Sequence, residues 1–397
     1  MNRVPKLRFK EFCGEWEEKK LGEISSNIMY GLNSSAVEFD GENKYIRITD
    51  INEINGKFEP NPLTSPSGTL DDNFLVNEND ILFARTGASV GKTYHYNIKD
   101  GKLYFAGFLI RFHINKANSK FIYYNTLKED YNKWVALTSM RTGQPGINAE
   151  EYKNYKIKLP CLEEQEKIAD FLSSVDKKIS ITEKKLDLFK DYKKGIMQKI
   201  FKQELRFKDS NNNDYPEWEE KKLGDIGTFF SGGTPKSDNK KYYNGDIPFI
   251  KSGEISKDKT EQFITKLGLD NSSAKMVKKG DLLFALYGAT SGECAISKIN
   301  GAINQAVLVI RTEENTVFLF NYFKFYKDNI IKKFLQGGQG NLSAEIIKML
   351  IIKFPCIEEQ QKIADFLSAI DVKIEKLSDE LENLKEFKKG LLQQMFV

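Results

Sequence analysis

Residues 160–179 read PCLEEQEKIADFLSSVDKKI, and residues 355–374 read PCIEEQQKIADFLSAIDVKI. The two blocks lie 195 residues apart, and KDYKKGIMQKIF from Lys190 returns as KEFKKGLLQQMF from Lys385 at the same offset. Upstream of each block, WEEKKLGEI from Trp16 returns as WEEKKLGDI from Trp218. A period this long indicates a duplicated domain rather than a solenoid repeat. The chain therefore alternates matched segments with two variable ones, at 25–159 and 227–354.

The matched blocks open two long predicted helices, at 163–202 and 358–396. Both stretches lack proline, and their apolar residues recur at alternating steps of three and four, which is typical of a coiled coil. One lysine, Lys193 or Lys388, interrupts this seam at the same place in each copy. The predicted helix-helix seam residues are Leu172, Val175, Ile179, Leu186, Phe189, Ile196, Leu367, Ile370, Ile374, Leu377, Leu381, Leu384 and Leu391.

The matched lengths also predict an arrangement. At about 1.5 Å per residue, a helix of about 40 residues spans roughly 60 Å, and two such helices most simply pack on each other. An antiparallel coiled coil would place one variable domain at each end, related by a pseudo-twofold axis, whereas a parallel pair would crowd both at one end. We predict an α+β protein with a first globular domain at 1–159, a spacer helix at 160–203, a second globular domain with its linker at 204–354 and a second spacer helix at 355–397.

Both variable domains are predicted to be mixed α/β domains. Short aliphatic runs bounded by turn residues predict strands at 44–49, 80–85 and 109–113, and at 247–252, 281–286 and 306–311. The second strand of each set leads into a glycine loop, TGASVGK at 86–92 or YGATSGE at 287–293. A further pair of polar loops follows, TGQPGIN at 142–148 and GGQGNLS at 337–343.

These polar loops suit a nucleic-acid surface, although an ordinary tight turn is the alternative for any one of them. Gln and Asn can pair with adenine edges, Arg with guanine edges, and hydroxyl or backbone N–H groups with phosphate. In the first domain the predicted DNA contacts are Arg47, Thr49, Arg85, Thr86, Ser89, Lys92, Ser139, Arg141, Thr142, Gln144 and Asn148. In the second domain they are Lys251, Ser252, Tyr287, Thr290, Ser291, Asn304, Gln305, Gln336, Gln339, Asn341 and Ser343.

Charge is distributed unevenly between the two variable domains. The whole chain has a formal net charge of +4, which is mild for a DNA-binding protein. Residues 227–354 carry 18 basic and 12 acidic side chains, whereas residues 25–159 carry 16 and 15. The second domain is thus the better phosphate binder, and we expect partner proteins to supply part of the grip on DNA.

The residue inventory argues against catalysis and metal binding by this chain. The four cysteines form no CxxC pair, and the only histidines are His95 and His113. No HExxH or GxGxxG motif is present in the sequence. No apolar run approaches the roughly 20 residues that span a bilayer, and the N-terminus has no apolar signal core. We therefore expect a cytoplasmic protein without a cofactor, a metal ion or a membrane partner.

The loop GASVGKT at 87–93 superficially resembles a nucleotide-binding P-loop. Its glycines are separated by three residues instead of four, and Thr86 stands where the first glycine would be needed. The duplicate loop has Glu293 in place of Lys92, and a carboxylate there would repel phosphate. The spacing therefore disfavours nucleotide hydrolysis.

The combined pattern resembles the specificity subunit of type I restriction-modification systems. The resemblance is carried by WEEKKLG[ED]I, PC[LI]EEQ[EQ]KIADFL and KKG[IL], each present twice in alternation with variable domains, and it covers essentially the whole chain. SGGTP at 231–235, followed by IPFI at 247–250, also resembles the opening of many target recognition domains. The first domain departs from that opening, with YGLN at 30–33.

The resemblance implies a non-catalytic subunit with two target recognition domains, each reading half of a bipartite DNA site. The helices would set the spacer and dock two methyltransferase subunits, and motor-nuclease restriction subunits would join for cleavage. S-adenosylmethionine would bind to the methyltransferase subunits, which would flip and methylate adenine. Two other hypotheses stay open at this point: a P-loop-like nucleotide-binding enzyme that uses 87–93, and a coiled-coil scaffold whose globular ends bind protein.

Overall fold

The computed structural model describes residues 4–53, 55–140, 143–335 and 341–397. The chain divides into two compact units, of which unit 1 comprises Met1–Glu183 and Asp379–Val397 and unit 2 comprises Lys184–Ser378. Each unit contains one α/β domain and parts of both long helices. The long helices are α4, Leu162–Phe201, and α8, Ile357–Gln394, so the two long helices predicted from the sequence are present, with ends within two residues of the prediction.

The described part of unit 1 contains ten strands and three short α-helices besides the long ones. The strands are β1 Glu17–Lys20, β2 Ser25–Tyr30, β3 Ala36–Glu38, β4 Lys44–Ile46, β5 Thr64–Pro66, β6 Asp80–Ala84, β7 Thr93–His95, β8 Leu103–Phe105, β9 Leu109–Ile114 and β10 Lys156–Leu159. The short helices are α1 Ser119–Asn125, α2 Glu129–Thr138 and α3 Ala149–Lys153. An antiparallel sheet of order β2-β9-β6-β7 forms the centre, with the small pairs β3-β5 and β4-β8 beside it.

Strand β6 is buried along its whole length because it separates two cores. Ile81 and Phe83 point into the core shared with α1, α4 and the end of α8, while Leu82 and Ala84 belong to a second core with β4 and β8. Successive side chains of a strand point to opposite faces. An uninterrupted apolar run is therefore what a sheet covered on both faces requires.

Unit 2 repeats this arrangement. Its strands are β11 Glu219–Lys222, β12 Gly227–Ser231, β13 Tyr243–Ile250, β14 Phe263–Ile264, β15 Lys275–Val277, β16 Leu282–Ala285, β17 Cys294–Ile296, β18 Gly301–Ile303, β19 Val307–Thr312 and β20 Ile351–Phe354. Its other helices are α5 Lys266–Asp270, α6 Thr316–Leu335 and α7 Ala344–Lys348. The antiparallel sheet β12-β19-β16-β17 corresponds to the central sheet of unit 1, and a second sheet has the order β14-β13-β18-β15. Strand β16 again divides two cores, with Leu282 and Phe284 on one side and Leu283 and Ala285 on the other.

The matched WEEKKLG segments form the strands that attach each α/β domain to a long helix. Strand β1 pairs antiparallel with β10, which leads directly into α4, and β11 pairs in the same way with β20, which leads into α8. The tryptophans that precede these strands, Trp16 and Trp218, are both buried. The duplicated sequence therefore builds a common frame around domains that differ.

The EEQ block fixes the start of each long helix to its domain. The Arg8 guanidinium donates to buried Glu164 over 2.7 Å, and that of Arg206 donates to buried Glu359 over 2.8 Å. The next residue in each copy is a glutamine whose side-chain oxygen accepts a backbone N–H. Gln165 accepts the N–H of Asn118 over 3.0 Å, and Gln360 accepts the N–H of Asn315 over 2.9 Å. The repetition of LRFK and EEQ thus reflects one hydrogen-bonded contact made twice.

Within each unit, the predicted seam residues lie in or beside the core. In unit 1, Leu172, Val175 and Ile179 share a core with Leu391, and Leu381 and Leu384 pack against it. In unit 2, Leu367 and Ile370 share a core against which Phe189, Ile196 and Ile374 pack. Leu186 and Leu377 are buried as well.

The lysines that interrupt the seam are paired with aspartates. Lys193 Nζ lies 2.6 Å from Asp371 Oδ1 in unit 2, and Lys388 Nζ lies 2.7 Å from Asp176 Oδ1 in unit 1. Asp176 and Asp371 occupy equivalent places in the two copies, as do the two lysines. Each lysine therefore binds the aspartate that belongs to the other repeat.

Two predicted strands have wrong bounds. The strand predicted at 44–49 ends at Ile46, because Ile48–Asp50 forms a 3-10 turn closed by Asp50, whose carboxylate accepts from the backbone and the guanidinium of Arg47. The strand predicted at 247–252 begins four residues earlier, at Tyr243, and ends at Ile250, where Ser252–Glu254 forms the matching turn. The other four predicted strands lie within one residue of their observed ends.

Among the described residues, no helix is both long and apolar enough to cross a membrane.

Candidate nucleic-acid interface

The candidate interface in unit 1 is the loop region at the end of β6. The Arg85 N–H donates to Phe108 O over 3.0 Å, and the Ile147 N–H donates to Arg85 O over 2.9 Å. The Gly87 N–H then donates to Pro145 O, also over 3.0 Å. The two polar loops predicted to contact DNA are therefore joined by backbone hydrogen bonds and present one continuous surface.

Gly87 illustrates how tightly these loops approach each other. Its φ is +70°, a conformation that favours glycine. A Cβ atom at this position would lie 3.1 Å from Nε2 of Gln144, one of the predicted contact residues. The absent side chain thus leaves room for the Gln144 amide beside the loop.

Unit 2 uses the same backbone frame at the end of β16. The Leu286 N–H donates to Ala306 O, and the Leu342 N–H donates to Leu286 O, both over 2.9 Å. Leu286 therefore occupies the place of Arg85, Ala306 that of Phe108, and Leu342 that of Ile147. Sequence comparison aligned the glycine loops, but this pairing of loop with loop is visible only in three dimensions.

Arg85 is the most distinctive side chain of the unit 1 surface. Its guanidinium carbon lies 5.0 Å from the ring centroid of Tyr30 and 6.0 Å from that of Phe108. Its Nε is buried and has no hydrogen-bond partner among the described residues. The sequence prediction included Arg85 but missed the two rings, because Tyr30 and Phe108 lie far from it in the chain and outside both polar loops.

Several other predicted contacts in unit 1 already have partners. Lys92 Nζ lies 2.6 Å from Glu53 Oε1, the Arg47 guanidinium binds Asp50, and Asn148 caps α3 by accepting the Glu151 N–H. Ser139 is buried, whereas Thr49 and Gln144 are exposed and Thr86 and Ser89 are partly exposed. Loop position alone therefore does not indicate which side chains are available for DNA.

The predicted contacts in unit 2 divide in the same way. Ser291 donates to Leu286 O, Ser343 caps α7, and Gln305 accepts from Thr234 Oγ1 over 2.7 Å. Asn304 accepts the Ala306 N–H, and Tyr287 packs partly against the core. Lys251 and Asn341 are exposed, while Ser252 and Thr290 are partly exposed.

The remaining predicted contacts of both units lie outside the described residues; they are Arg141, Thr142, Gln336 and Gln339.

Both histidines and one of the cysteines are engaged in the fold. Burial lowers the pKa of His95 to about 4 and raises the pKa of the Cys294 thiol to about 12, so the imidazole and the thiol are both neutral near pH 7. His113 is hydrogen-bonded to buried Asp80. In the described parts of the chain, no group of His, Cys, Asp and Glu could hold a metal ion.

The loop that resembles a P-loop is closed by protein contacts. Lys92 binds Glu53, and in the duplicate loop Glu293 pairs with Lys327. Gly91, which would correspond to the last glycine of a P-loop, has a φ of +86° and faces Val135. The Lys92 ammonium, which a nucleotide phosphate would need, is therefore already paired within the fold.

Comparison with known proteins assigns both halves of the chain to one family. A model of the type I restriction modification DNA specificity domain matches residues 14–189 and again residues 215–386. A putative type I restriction enzyme MjaX specificity subunit from Methanocaldococcus jannaschii is 26% identical over 98% of this chain and 94% of its own length. The EcoR124I/EcoR124II specificity subunit from Escherichia coli is 24% identical over 65% of this chain and 64% of its own length.

Solved structures share the fold across the whole chain. The S subunit of a type I restriction-modification system from M. genitalium superposes with a TM-score of 0.65 at 16% identity, covering 99% of both chains. A chain from a study of complex assembly and conformational transition of the type I R-M system gives a TM-score of 0.56 at 17% identity, covering 96% of this chain and 97% of that one. At such low identity, the likeness concerns the arrangement of helices and strands alone.

Proposed function

The chain belongs to the family of type I restriction-modification DNA specificity proteins, and we propose that it performs no chemistry and supplies sequence recognition to a methyltransferase and endonuclease complex. Each α/β domain would read one half of a bipartite DNA site. The match of both halves of the chain to the DNA specificity domain supports a non-catalytic role. The nucleotide-binding enzyme and the protein scaffold considered from the sequence have no support from the comparisons.

The observation that carries this proposal is the exchanged pair of lysine-aspartate contacts. Lys193 with Asp371 and Lys388 with Asp176 are the same contact with the two repeats interchanged. As the residue number rises along α4 from 176 to 193, the number of the partner falls along α8 from 388 to 371. Such an exchange is expected if the helices form an antiparallel coiled coil with a pseudo-twofold axis between the two contacts.

In this proposal the helices act as a ruler. Helices of 40 and 38 residues are rigid over roughly 55–60 Å at about 1.5 Å per residue, so they would hold two unlike domains at a fixed separation. Domains that bind the same face of DNA need to be near one helical turn apart, roughly 34–36 Å. The functional parts would then be the two domains, at 1–159 and 204–354, and the two spacer helices, at 160–203 and 355–397.

The loop surfaces at the ends of β6 and β16 would be the DNA-reading faces. In each unit, two polar loops joined through the backbone present amide and hydroxyl groups that are exposed or partly exposed, namely those of Gln144 and Thr86 in unit 1 and of Asn341 and Thr290 in unit 2. Such groups can form hydrogen bonds with base edges in the major groove and with phosphates. The greater positive surplus of 227–354 suggests that the second domain contributes more to phosphate binding.

The outer surfaces of the helices suit a protein partner that is present twice. Leu162 on α4 and Ile357 on α8 are equivalent residues, and both are about half exposed. Tyr192 and Phe387 form a second equivalent pair, 49% and 53% exposed. Single exposed apolar side chains are common on protein surfaces, so it is their repetition at equivalent places in the two copies that supports two copies of one partner. We infer that these partners are two methyltransferase subunits carrying S-adenosylmethionine, with restriction subunits joining them.

The test is to express this chain with its cognate methyltransferase and to map methylated adenines across a genome. We expect an asymmetric motif of two short halves separated by a spacer of fixed length, because two unlike domains would read a single duplex. A continuous motif, or the absence of sequence-specific methylation, would contradict the proposal. In parallel, wild-type and Lys92→Ala chains are titrated with nucleotide, and binding that depends on Lys92 would favour an enzyme instead.

A further inference from the structure

One cation at the DNA-reading end of unit 1 is held by aromatic rings instead of carboxylates. The Arg85 guanidinium lies beside the rings of Tyr30 and Phe108, which we call the aromatic clamp, at 5.0 and 6.0 Å. The Tyr30 hydroxyl accepts the Ala149 N–H over 3.1 Å, which fixes one ring. Both rings remain 40% or more exposed, so the clamp lies at the surface.

The clamp orients the guanidinium without using its hydrogen bonds. Arginine readily stacks on aromatic faces, and its planar fork offers five N–H donors. Nε of Arg85 is buried without a partner in the described chain, and no ion pair is present for Arg85 there. Because Nε is shielded from solvent, a contact with an external acceptor would be made by the two terminal nitrogens of the guanidinium.

Unit 2 provides an internal comparison, because the same backbone frame lacks the clamp. Tyr30 pairs with Ile110 across the sheet as Ser231 pairs with Leu308, so Ser231 occupies the place of Tyr30. Leu286 and Ala306 replace Arg85 and Phe108 in equivalent backbone hydrogen bonds. Arg85 and both rings of the clamp are therefore replaced together, which separates the clamp from the requirements of the fold.

We propose that Arg85 donates two hydrogen bonds to O6 and N7 of a guanine in the half-site read by the first domain, an inference that rests on the proposed function. A planar fork matches this pair of acceptors, which only guanine presents in the major groove. A phosphate would also accept from arginine, but phosphate binding relies on accumulated positive charge. The first variable domain is nearly neutral, with 16 basic and 15 acidic residues. The second domain, with Leu286 at this place, reads its half without such a contact.

The first test maps methylated adenines with wild-type, Arg85→Lys and Arg85→Gln chains in the full complex. We expect one G·C pair of the motif to become degenerate in Arg85→Lys, which keeps the charge but loses the fork, and to become degenerate or shift toward A·T in Arg85→Gln. The other half and the spacer should stay unchanged. Lys99→Gln is the control, because it removes the same charge from an exposed site outside the predicted interface. Retention of the wild-type motif in both Arg85 variants would overturn the inference.

The second test keeps the wild-type protein and changes the DNA, so it does not depend on how a variant folds. Each guanine of the mapped motif is replaced in turn by 7-deazaguanine, which lacks the N7 acceptor. We expect affinity to fall about 3- to 10-fold at one position, because the analogue removes one of the two acceptors of a bidentate base contact. Affinity of the Arg85→Gln complex should be insensitive to the analogue at that position.

The outcomes separate this inference from the proposed function. If the wild-type complex methylates no defined motif, the function itself fails. If it methylates a bipartite motif but tolerates 7-deazaguanine at every position, the function stands and the guanine contact is wrong. A phosphate contact would be identified if the Arg85→Lys complex bound DNA like wild type and Arg85→Gln changed only the salt dependence of binding. That result would likewise overturn the inference.

Discussion

At the residue scale, the contacts of the EEQ block explain why widely separated short motifs are duplicated together. Glu164 is 1% exposed and Glu359 is fully buried, and each carboxylate is neutralised by the arginine of an LRFK segment. A buried charge is tolerated when it is paired and hydrogen-bonded. The arginine and the glutamate therefore form one structural element, although more than 150 residues separate them in the chain.

Arg8→Met should destabilise unit 1 because it leaves the Glu164 carboxylate buried without its cation. Removing one member of a buried pair typically costs about 3–5 kcal/mol, and we expect about 2–4 kcal/mol here because Arg8 itself reaches solvent. Hydrogen exchange followed by mass spectrometry would show faster exchange in peptides from α1 and the start of α4. The double change Arg8→Met with Glu164→Gln should recover part of the loss.

Arg206→Met provides the matched control, since the same contact lies in unit 2. It should accelerate exchange in unit 2 and leave unit 1 unchanged. Lys133→Ala removes an ion pair in which both side chains are more than 60% exposed, and it should leave exchange unaltered. Equal exchange in Arg8→Met and wild type would show that Glu164 does not need its partner.

At the element scale, the long helices combine an apolar seam with two specific polar contacts. Lys193 is mostly buried within the seam, and burial lowers its pKa while Asp371 acts in the opposite direction. Polar groups in a coiled-coil seam can fix register at a cost in stability. We interpret the exchanged pairs as register markers, because a shift of either helix by one turn would separate both lysines from their aspartates.

Double-mutant cycles would measure this coupling. One cycle combines Lys193→Met with Asp371→Asn, and the other combines Lys388→Met with Asp176→Asn. Each should give a coupling of about 1 kcal/mol, since the aspartates remain partly exposed to solvent. The measurement is the change in unfolding free energy from urea denaturation, followed locally by hydrogen exchange in each unit.

The two cycles act as controls for each other. Similar values are expected because the contacts are equivalent in the repeats, although Asp176 also accepts from the Tyr124 hydroxyl over 2.8 Å. A coupling close to zero in both cycles would show that the lysines do not set register. Cycles between Lys193 and Asp176, which are not in contact, should give no coupling.

At the scale of the whole molecule, the proposed ruler predicts how helix length affects recognition. Residues 180–186 of α4 and 378–384 of α8 lie between the two lysine-aspartate contacts along their helices. Removing seven residues from both would shorten each helix by about 10 Å, which is about three base pairs at roughly 3.4 Å each.

Deletion of 180–186 together with 378–384 should give weaker methylation of sites that have the original halves and a shorter spacer. Methylation weakens because three base pairs also remove about a third of a DNA turn. Deletion of 180–186 alone should abolish methylation, since only one of the two lysine contacts could then form at a time. Mapping of methylated adenines distinguishes these results. An unchanged spacer after the paired deletion, or an altered half, would rule out the ruler.

Much of the architecture could be predicted from the sequence, for local physical reasons. Apolar residues at steps of three and four report the buried face of a helix wherever that helix packs, so α4 and α8 were predicted to within two residues. Continuous aliphatic runs likewise revealed β6 and β16, which are covered on both faces. Duplication indicated the two domains, since a repeated sequence must fold twice into the same frame.

The sequence could not determine the contacts between residues that lie far apart in the chain. The partners of Lys193 and Lys388 depend on helix packing, and the aromatic clamp depends on β2 and β6 both pairing with β9, which brings Tyr30, Arg85 and Phe108 together. Loop composition predicted Lys92 and Asn148 as DNA contacts, yet tertiary structure gives them an ion pair and a helix cap. Polarity records only that a side chain can form hydrogen bonds, whereas the fold decides which side chains remain free to form them with DNA.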